Sequence, residues 1–283
     1  GSRTHRRNGH STQALSSGTT GKGSSMRILL TNDDGINAPG LETLREIARE
    51  LSDDIWTVAP ELDQSGASHS LTLREPIRMR KLDERTFAVR GTPADCVIMA
   101  IRYLLRDDLP ALVLSGVNRG ANMADDVTYS GTIAGAIEGT LLGIRSIAMS
   151  LACEPRSKIK WETARTHGPE IVRRLLAADW PQGVLMNVNF PDCAPEEVAG
   201  IAVTEQGRRD HDLMRIDQRL DTWGNPYYWL GYERKRSNPR GGTDLWAVYT
   251  GRVSITPLSI NLTARNVGET LARQLERGTE GEG

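Results

Sequence analysis

The chain has 283 residues, 38% of them hydrophobic and 25% charged, with 35 basic against 36 acidic side chains and a net charge of −1. That is ordinary soluble globular composition, and the balanced charge excludes a chain built to grip nucleic-acid polymers or an anionic membrane surface. No apolar run approaches the about 20 residues a membrane helix needs, and three scattered cysteines (Cys96, Cys153 and Cys193) argue against a disulfide framework or zinc and fit a reducing cytoplasm.

Residues 1–25 are rich in Ser, Gly and Thr, with four basic and no acidic residues. No apolar core follows the basic residues, as a secretory signal requires. The stretch reads as a disordered tail or an expression remnant, with a transit peptide as the sharper alternative. The folded part is expected to start at Met26.

Ile28-Leu29-Leu30 is an apolar run that ends abruptly in Asn32-Asp33-Asp34-Gly35. A strand covered on both faces reads this way, and two adjacent carboxylates place the Asp pair where the chain leaves the sheet. In open α/β sheets that edge is where ligands bind. Asp-Asp-Gly is also plain turn chemistry. Leu41, Leu44, Ile47, Ala48 and Leu51 recur at helical spacing within 39–51, and Ile55 to Ala59 is a second strand, which makes a βαβ unit. The polar loop 61–70 hangs from the end of that strand. Residues 71–90 read as irregular or antiparallel strand material ending in Phe87-Ala88-Val89.

Gly91-Thr92-Pro93-Ala94-Asp95 is a helix start: Thr92 caps, Pro93 suits the first helical position and Asp95 closes a capping box. That helix is expected to reach Leu105. Leu112 to Leu114 form a buried strand that breaks into Ser115-Gly116-Val117-Asn118-Arg119-Gly120. Tyr129-Ser130-Gly131-Thr132 opens a helix with Ile133, Ile137 and Leu141 on one face, and Ile144 to Ser150 is the next strand. A helix over 160–178 follows, then strands at Val184–Phe190 and Ile201–Thr204. Residues 205–245 hold Trp223, Tyr227, Tyr228, Trp229 and Trp246 without a clean period. They read as a projecting hairpin that packs either on a partner subunit or on its own core. A strand at Val253–Ile255 and a helix over Leu262–Leu275 close the chain. The expected fold class is therefore α/β: a mostly parallel sheet flanked by helices, with a C-terminal β-hairpin arm and terminal helix.

Three loops thus bring Asp33 and Asp34, Ser65 and Asn118 to one sheet edge. All four offer hard oxygen donors, and such a set suits one divalent ion of the magnesium type, which keeps waters and shares substrate oxygens. Ser130-Gly131-Thr132 opens a helix whose free N–H groups and positive dipole end favour an anion. The plain alternative for Ser130 is an N-cap. His69 is the histidine nearest these loops, as a proton donor, a ligand-orienting group or a structural partner.

The motifs Asn32-Asp33-Asp34-Gly35, Val58-Ala59-Pro60, Ser68-His69-Ser70, Gly91-Thr92-Pro93-Ala94-Asp95, Ser115-Gly116-Val117-Asn118-Arg119-Gly120 and Tyr129-Ser130-Gly131-Thr132 occur in this order. Together with Ser254-Ile255-Thr256-Pro257 near the end, they resemble the SurE survival-protein family of nucleotidases. The likeness runs from Met26 almost to the C-terminus. It implies a Rossmann-like fold and a phosphomonoesterase acting on nucleoside 5′-monophosphates, with 3′-monophosphates as a further substrate. It also implies one divalent metal, Mg2+ or Mn2+ with Ca2+ able to take the same donors, held by Asp33, Asp34, Ser65 and Asn118. It implies homodimers or homotetramers built through exchanged C-terminal arms. Asp33, Asp34 and Asn118 are then the catalytic candidates, and Asn118, Arg119, Gly120, Ser130, Gly131 and Thr132 bind the phosphate. Ser68 stands where many members have glycine.

The expected division is 1–25 tail, 26–204 catalytic domain and 205–283 oligomerisation arm with the last strand and helix. Three rivals are weighed. An aspartyl-phosphate phosphatase spaces its acids as Asp-x-Asp, but here they are adjacent. A receiver-type signalling module needs a phospho-accepting Asp where this chain has Asn118, and it is about half this length. The third is a nucleotide binder without turnover.

Overall fold

The computed structural model describes residue 1 and residues 25–154, 158–209, 214–232 and 237–278. The tail assignment for residues 2–24, and residues 210–213 and 233–236 of the expected arm, lie outside the described residues.

The first strand is β1 (Ile28–Thr31), followed by α1 (Pro39–Arg49), β2 (Ile55–Pro60), β3 (Arg78–Lys81) and β4 (Thr86–Arg90). Then come α2 (Pro93–Met99, continued by a π turn over Ala100–Leu104), β5 (Leu112–Arg119), α3 (Gly131–Leu141), β6 (Arg145–Leu151), α4 (Trp161–Ala177) and β7 (Val184–Phe190). The last part holds β8 (Ile201–Val203), β9 (Met214–Leu220), β10 (Pro226–Tyr232), α5 (Asp244–Tyr249), β11 (Val253–Ser259) and α6 (Arg265–Gly278). Nine strands form one sheet in the order β3-β4-β2-β1-β5-β6-β7-β11-β8. The pairs from β4 to β7 are parallel. Within this sheet, among the described residues, β3 on β4 and β11 on β7 run antiparallel. Phe87-Ala88-Val89 therefore belongs to the parallel part, beside β2.

The sheet is covered on both faces, which explains the unbroken apolar run in β1. Ile28 and Leu30 pack with Leu41, Leu44 and Ile47 of α1 and Ile171 and Val172 of α4. Leu29 points the other way, to Cys96 and Val97 of α2. Ile28, Leu29 and Leu30 are fully buried, each contributing roughly 1.5–3 kcal/mol. The chain moves from β1 outward through β2 and β4, then returns to β5 on the other side of β1. This reversal opens a crevice beyond the carboxyl ends of β1 and β5, the place such sheets bind ligands.

α3 departs from its sequence reading. Ile133 is buried, but Leu141 is 54% exposed. Ile133 and Ile137 do pack with Ala148 of β6 and Leu185 of β7, and beside them the stripe Gly131, Gly135 and Gly139 lies against the sheet. A Cβ at Gly135 would lie 2.9 Å from both Ser115 Oγ and Thr31 Cγ2, and one at Gly139 would lie 2.5 Å from Ser146 Oγ. Absence of side chains lets the helix press onto β1, β5 and β6 and brings its first turn over the end of β1. β5 also differs: it does not end at Leu114 but resumes pairing after a register shift, with Asn118 opposite Ser150. Gly116 makes this possible, since a Cβ there would meet the Met149 carbonyl oxygen at 2.2 Å.

β9 and β10 form a separate two-stranded sheet, as the hairpin reading expects. Trp246 is not part of it. It sits in α5, with the Arg252 guanidinium 5.2 Å from its ring centroid. Of the residues expected in the arm segment, β11 lies in the main sheet between β7 and β8.

Candidate active site

Asp33 leaves β1 buried, 5% exposed, directly under the first turn of α3. The Thr132 hydroxyl donates to its Oδ1 at 2.5 Å. A Cβ at Gly131 would lie 2.7 Å from Asp33 Cβ and 3.0 Å from its Oδ2. Helix start and carboxylate are therefore packed in contact, and only glycine fits between them. Burial pushes the Asp33 carboxyl up, and the Thr132 hydrogen bond opposes this.

Asp34 turns to the other side of the crevice, where the Arg119 N–H donates to its Oδ2 at 3.3 Å. Burial, and then the charge of Asp33, push Asp34 up to about 6. Asn118 spends its amide N–H on the Gly120 carbonyl at 2.8 Å. That leaves its side-chain oxygen as the group with unused acceptor capacity. Gly120 itself is tied to the Leu151 carbonyl. Ser130 caps α3 by accepting from the Ile133 N–H at 3.1 Å, so the plain N-cap reading of its oxygen holds. The hydroxyl proton and the Gly131 N–H remain available as donors, whereas the Thr132 N–H turns to the Asp33 carboxylate and the Ile133 N–H to Ser130.

Ser65 reaches this edge through its neighbour: the Gln64 N–H donates to the Asp33 carbonyl at 2.8 Å. Ser65 is exposed, and its own N–H is held by Asp63 Oδ1 at 2.7 Å. The loop beyond it is pinned repeatedly. Ser68 Oγ donates to the Thr128 carbonyl at 2.8 Å, and His69 Nε2 meets Glu138 Oε2 of α3 at 2.9 Å. Thr92 Oγ1 donates to the Ser70 carbonyl at 2.8 Å, and Thr72 Oγ1 donates to Asp95 Oδ2 at 2.6 Å. Asp95 also closes the capping box of α2. Ser68 has φ +52°, the left-handed region where glycine is at ease. The bond to Thr128 offsets that strain.

The donor chemistry suits a hard cation. Two carboxylates, a hydroxyl and an amide oxygen are hard ligands, and the raised carboxyl groups mark a site short of positive charge. Asn32 adds to this. Its amide donates to the Gly35 carbonyl at 2.9 Å, while its buried Oδ1 has no hydrogen-bond partner. A buried orphan oxygen beside Asp33 is what an ordered water would satisfy. Among the described residues no group of three or more His, Cys, Asp and Glu is placed to hold a metal ion, so a cation here would depend on the Ser65 hydroxyl and the Asn118 amide oxygen beside the two carboxylates.

Two supports escaped the sequence reading. Asn122, Asn187 and Asn189 form a buried network with Ser150. The Asn122 N–H donates to Asn189 Oδ1 at 2.8 Å and its amide to Ser150 Oγ at 2.9 Å, while Asn187 donates to the Asn122 carbonyl at 2.8 Å. The alternating Asn in Met186-Asn187-Val188-Asn189-Phe190 was the available signal. Asp244, fully buried, accepts from the N–H groups of Ala124, Gly207 and Leu245 at 2.7–2.9 Å. Arg209 pairs with Asp126. Both supports hold the candidate substrate loop, segment 120–129, which delivers Ser130, and the second comes from the C-terminal part of the chain.

Comparison with known proteins gives one consistent result. The family described as "Survival protein SurE" matches residues 28–212. The chain is 57% identical over 249 residues to a protein of Parvibaculum lavamentivorans named 5′-nucleotidase SurE, covering 87% of this chain and 90% of that protein. It is 60% identical over 240 residues to a protein of the same name from Methylobacterium nodulans, covering 84% and 95%. The crystal structure of a SurE protein from Aquifex aeolicus superposes with a TM-score of 0.77 at 42% identity, over 88% of this chain and 99% of that one. The likeness covers both the sheet that builds the crevice and the segments that line it, and the chain belongs to the SurE family.

Proposed function

We propose that this chain is a divalent-cation-dependent phosphomonoesterase that hydrolyses nucleoside 5′-monophosphates, and 3′-monophosphates as well, to nucleoside and phosphate. The observation that carries the reading is the contact of Asp33 with the first turn of α3: a carboxylate pair and an anion-binding helix start share one crevice. Its relatives' name, 5′-nucleotidase SurE, points to the same substrate class.

Asp33, Asp34, Ser65 and Asn118 would hold a magnesium or manganese ion, calcium taking the same donors in crystals. Bound there, the ion supplies positive charge to phosphoryl oxygens and acidifies water. The chain does the rest. The Gly131 N–H and the Ser130 hydroxyl bind the equatorial phosphate oxygens, with the dipole of α3 behind them, while Thr132 serves the site by holding Asp33. Asn118, Arg119 and Gly120 close on the phosphate from the β5 side. Water attacks phosphorus, the bond from phosphorus to the ribose oxygen breaks, and that oxygen leaves with a proton. Asp33 serves as a ligand, not a nucleophile, because Thr132 and Gly131 hold its carboxylate in place. The residues 26–204 carry this chemistry. The segment 205–283 supports the substrate loop through Asp244 and, through its hairpin, joins copies into a homodimer or homotetramer. No helix among the described residues is long and apolar enough to cross a membrane. Cys96, Cys153 and Cys193, none of them in a disulfide, fit a cytoplasmic protein.

The test is phosphate release from a panel of nucleoside monophosphates with magnesium, manganese or chelator. Release that needs the cation and is abolished in Asp33→Asn supports the reading. Tight nucleotide binding without release makes the chain a binder. Full release in chelator removes the cation from the account.

A further inference from the structure

We propose that His69 and Glu138 form a latch that positions Ser65, so that His69 is a positioning residue for cation binding and not a proton donor. The inference rests on the reading of Ser65 as a cation ligand.

The loop that carries Ser65 has little apolar anchorage. Leu62 is 72% exposed and Leu73 83%. Polar bonds must therefore set its place. Its near end is tied at Gln64 to the Asp33 carbonyl and its far end at Ser70 and Thr72 to the start of α2. Between these ties, Ser68 bonds a carbonyl of the substrate loop, and His69 bonds Glu138 at 2.9 Å.

Glu138 is the unexpected member. It is the one charged residue of α3, a helix otherwise made of Gly, Ala, Thr, Ile and Leu, and it is 7% exposed. A buried carboxylate is costly unless it is partnered, and an apolar side chain would serve the core better. Its value lies in what it holds. α3 is pressed on the sheet by its glycines, and its first turn fixes Asp33 through Thr132. Glu138 lets the same rigid helix fix the loop of Ser65. One element thereby sets the separation of two proposed ligands that come from different loops. A hydrogen bond that orients a ligand's support is worth a measurable share of cation affinity.

The experiment measures manganese binding by titration calorimetry on the full chain. The proteins are the wild type, His69→Ala, His69→Gln, Ser65→Ala and the double variant His69→Ala with Ser65→Ala. His69→Ala is expected to raise the manganese Kd about tenfold, and Ser65→Ala by a similar factor. The double variant should be no worse than Ser65→Ala, since the latch acts through that residue. His69→Gln, whose amide can still donate to Glu138, should return to within about threefold of wild type. Faster amide hydrogen exchange across 65–70 in His69→Ala is the accompanying sign.

A His69→Ala protein with wild-type manganese Kd but reduced kcat overturns the latch and makes His69 a direct participant. Fully additive losses in the double variant also overturn it. A wild-type chain that takes up no manganese overturns the ligand assignment itself, and the latch with it.

Discussion

Thr132 and Asp33 lie 99 positions apart in sequence, and the Thr132 hydroxyl donates to Asp33 Oδ1 at 2.5 Å. The bond joins the proposed anion site to the proposed cation site, so neither can shift alone. Removing the hydroxyl leaves a buried carboxylate oxygen short of a donor, a loss of about 1–3 kcal/mol. Thr132→Val keeps the shape and deletes the donor. It should lower phosphate release by roughly tenfold or more and weaken manganese binding, by the usual effect of losing a group that orients a ligand. Thr132→Ser should stay within a few-fold of wild type. Equal activity in all three proteins would reduce the bond to a packing detail.

Gly131 makes a sharper test of the same contact. A methyl group there would press against Asp33 Cβ at 2.7 Å, and the helix cannot retreat without lifting Gly135 and Gly139 from the sheet. Gly131→Ala should cost about 1–3 kcal/mol of stability by overpacking and most of the activity. Gly135→Ala meets Ser115 and Thr31 instead. It should destabilise comparably while losing less activity per unit of stability. Thermal unfolding and turnover measured side by side separate the two.

Much of this was legible in the sequence, for physical reasons that vary by residue. The apolar run before Asp33 announced a strand covered on both sides because its composition has no polar face. The Thr92-Pro93-Ala94-Asp95 start was legible because a capping box is local. On α3, Ile133 and Ile137 were legible as a packed face, but the glycine stripe beside them was missed because glycines carry no hydrophobic signal. The continuation of β5 past Ser115 was missed because a bulge reads as a loop in one dimension. Asp244 and the Asn122 network were invisible for a different reason: their partners lie up to 120 residues away, and no periodicity records such pairs.

The raised carboxyl groups predict how stability depends on pH. Asp34 titrates at about 6 in the folded chain against 3.8 for the free side chain. A raised carboxyl favours the protonated fold. Without cation, this contribution is present below about pH 4 and is lost as pH rises through 6. On the usual conversion the loss is on the order of 2–3 kcal/mol at most. Denaturant unfolding in chelator should therefore show stability falling between pH 4.5 and 7, on the scale set by that shift. Asp34→Asn should flatten the slope. Saturating magnesium should offset the fall, because a cation favours the ionised pair. A wild-type chain in chelator that gains stability over this range would contradict the electrostatic account.

The hairpin carries the last prediction. A lone two-stranded ribbon is marginal in water, yet β9 and β10 expose apolar groups on both faces. One face shows Ile216 opposite Leu230, 65% and 74% exposed. The other shows Trp229, 58% exposed, in an edge contact with Tyr227 at 6.5 Å. Val267, Leu271 and Leu275 of α6 are exposed as well. Surfaces of this kind are covered by a partner in most soluble proteins, and a second copy of the same chain is the proposed cover. Replacing Ile216, Trp229 and Leu230 together by Thr keeps strand propensity and removes the apolar contact. Light scattering should show the mass fall from dimer or tetramer to monomer. The nine-stranded sheet should survive, since none of these side chains lies within it. A wild type that is already monomeric at micromolar concentration, or an unchanged mass in the triple variant, would mean that the hairpin serves some other surface.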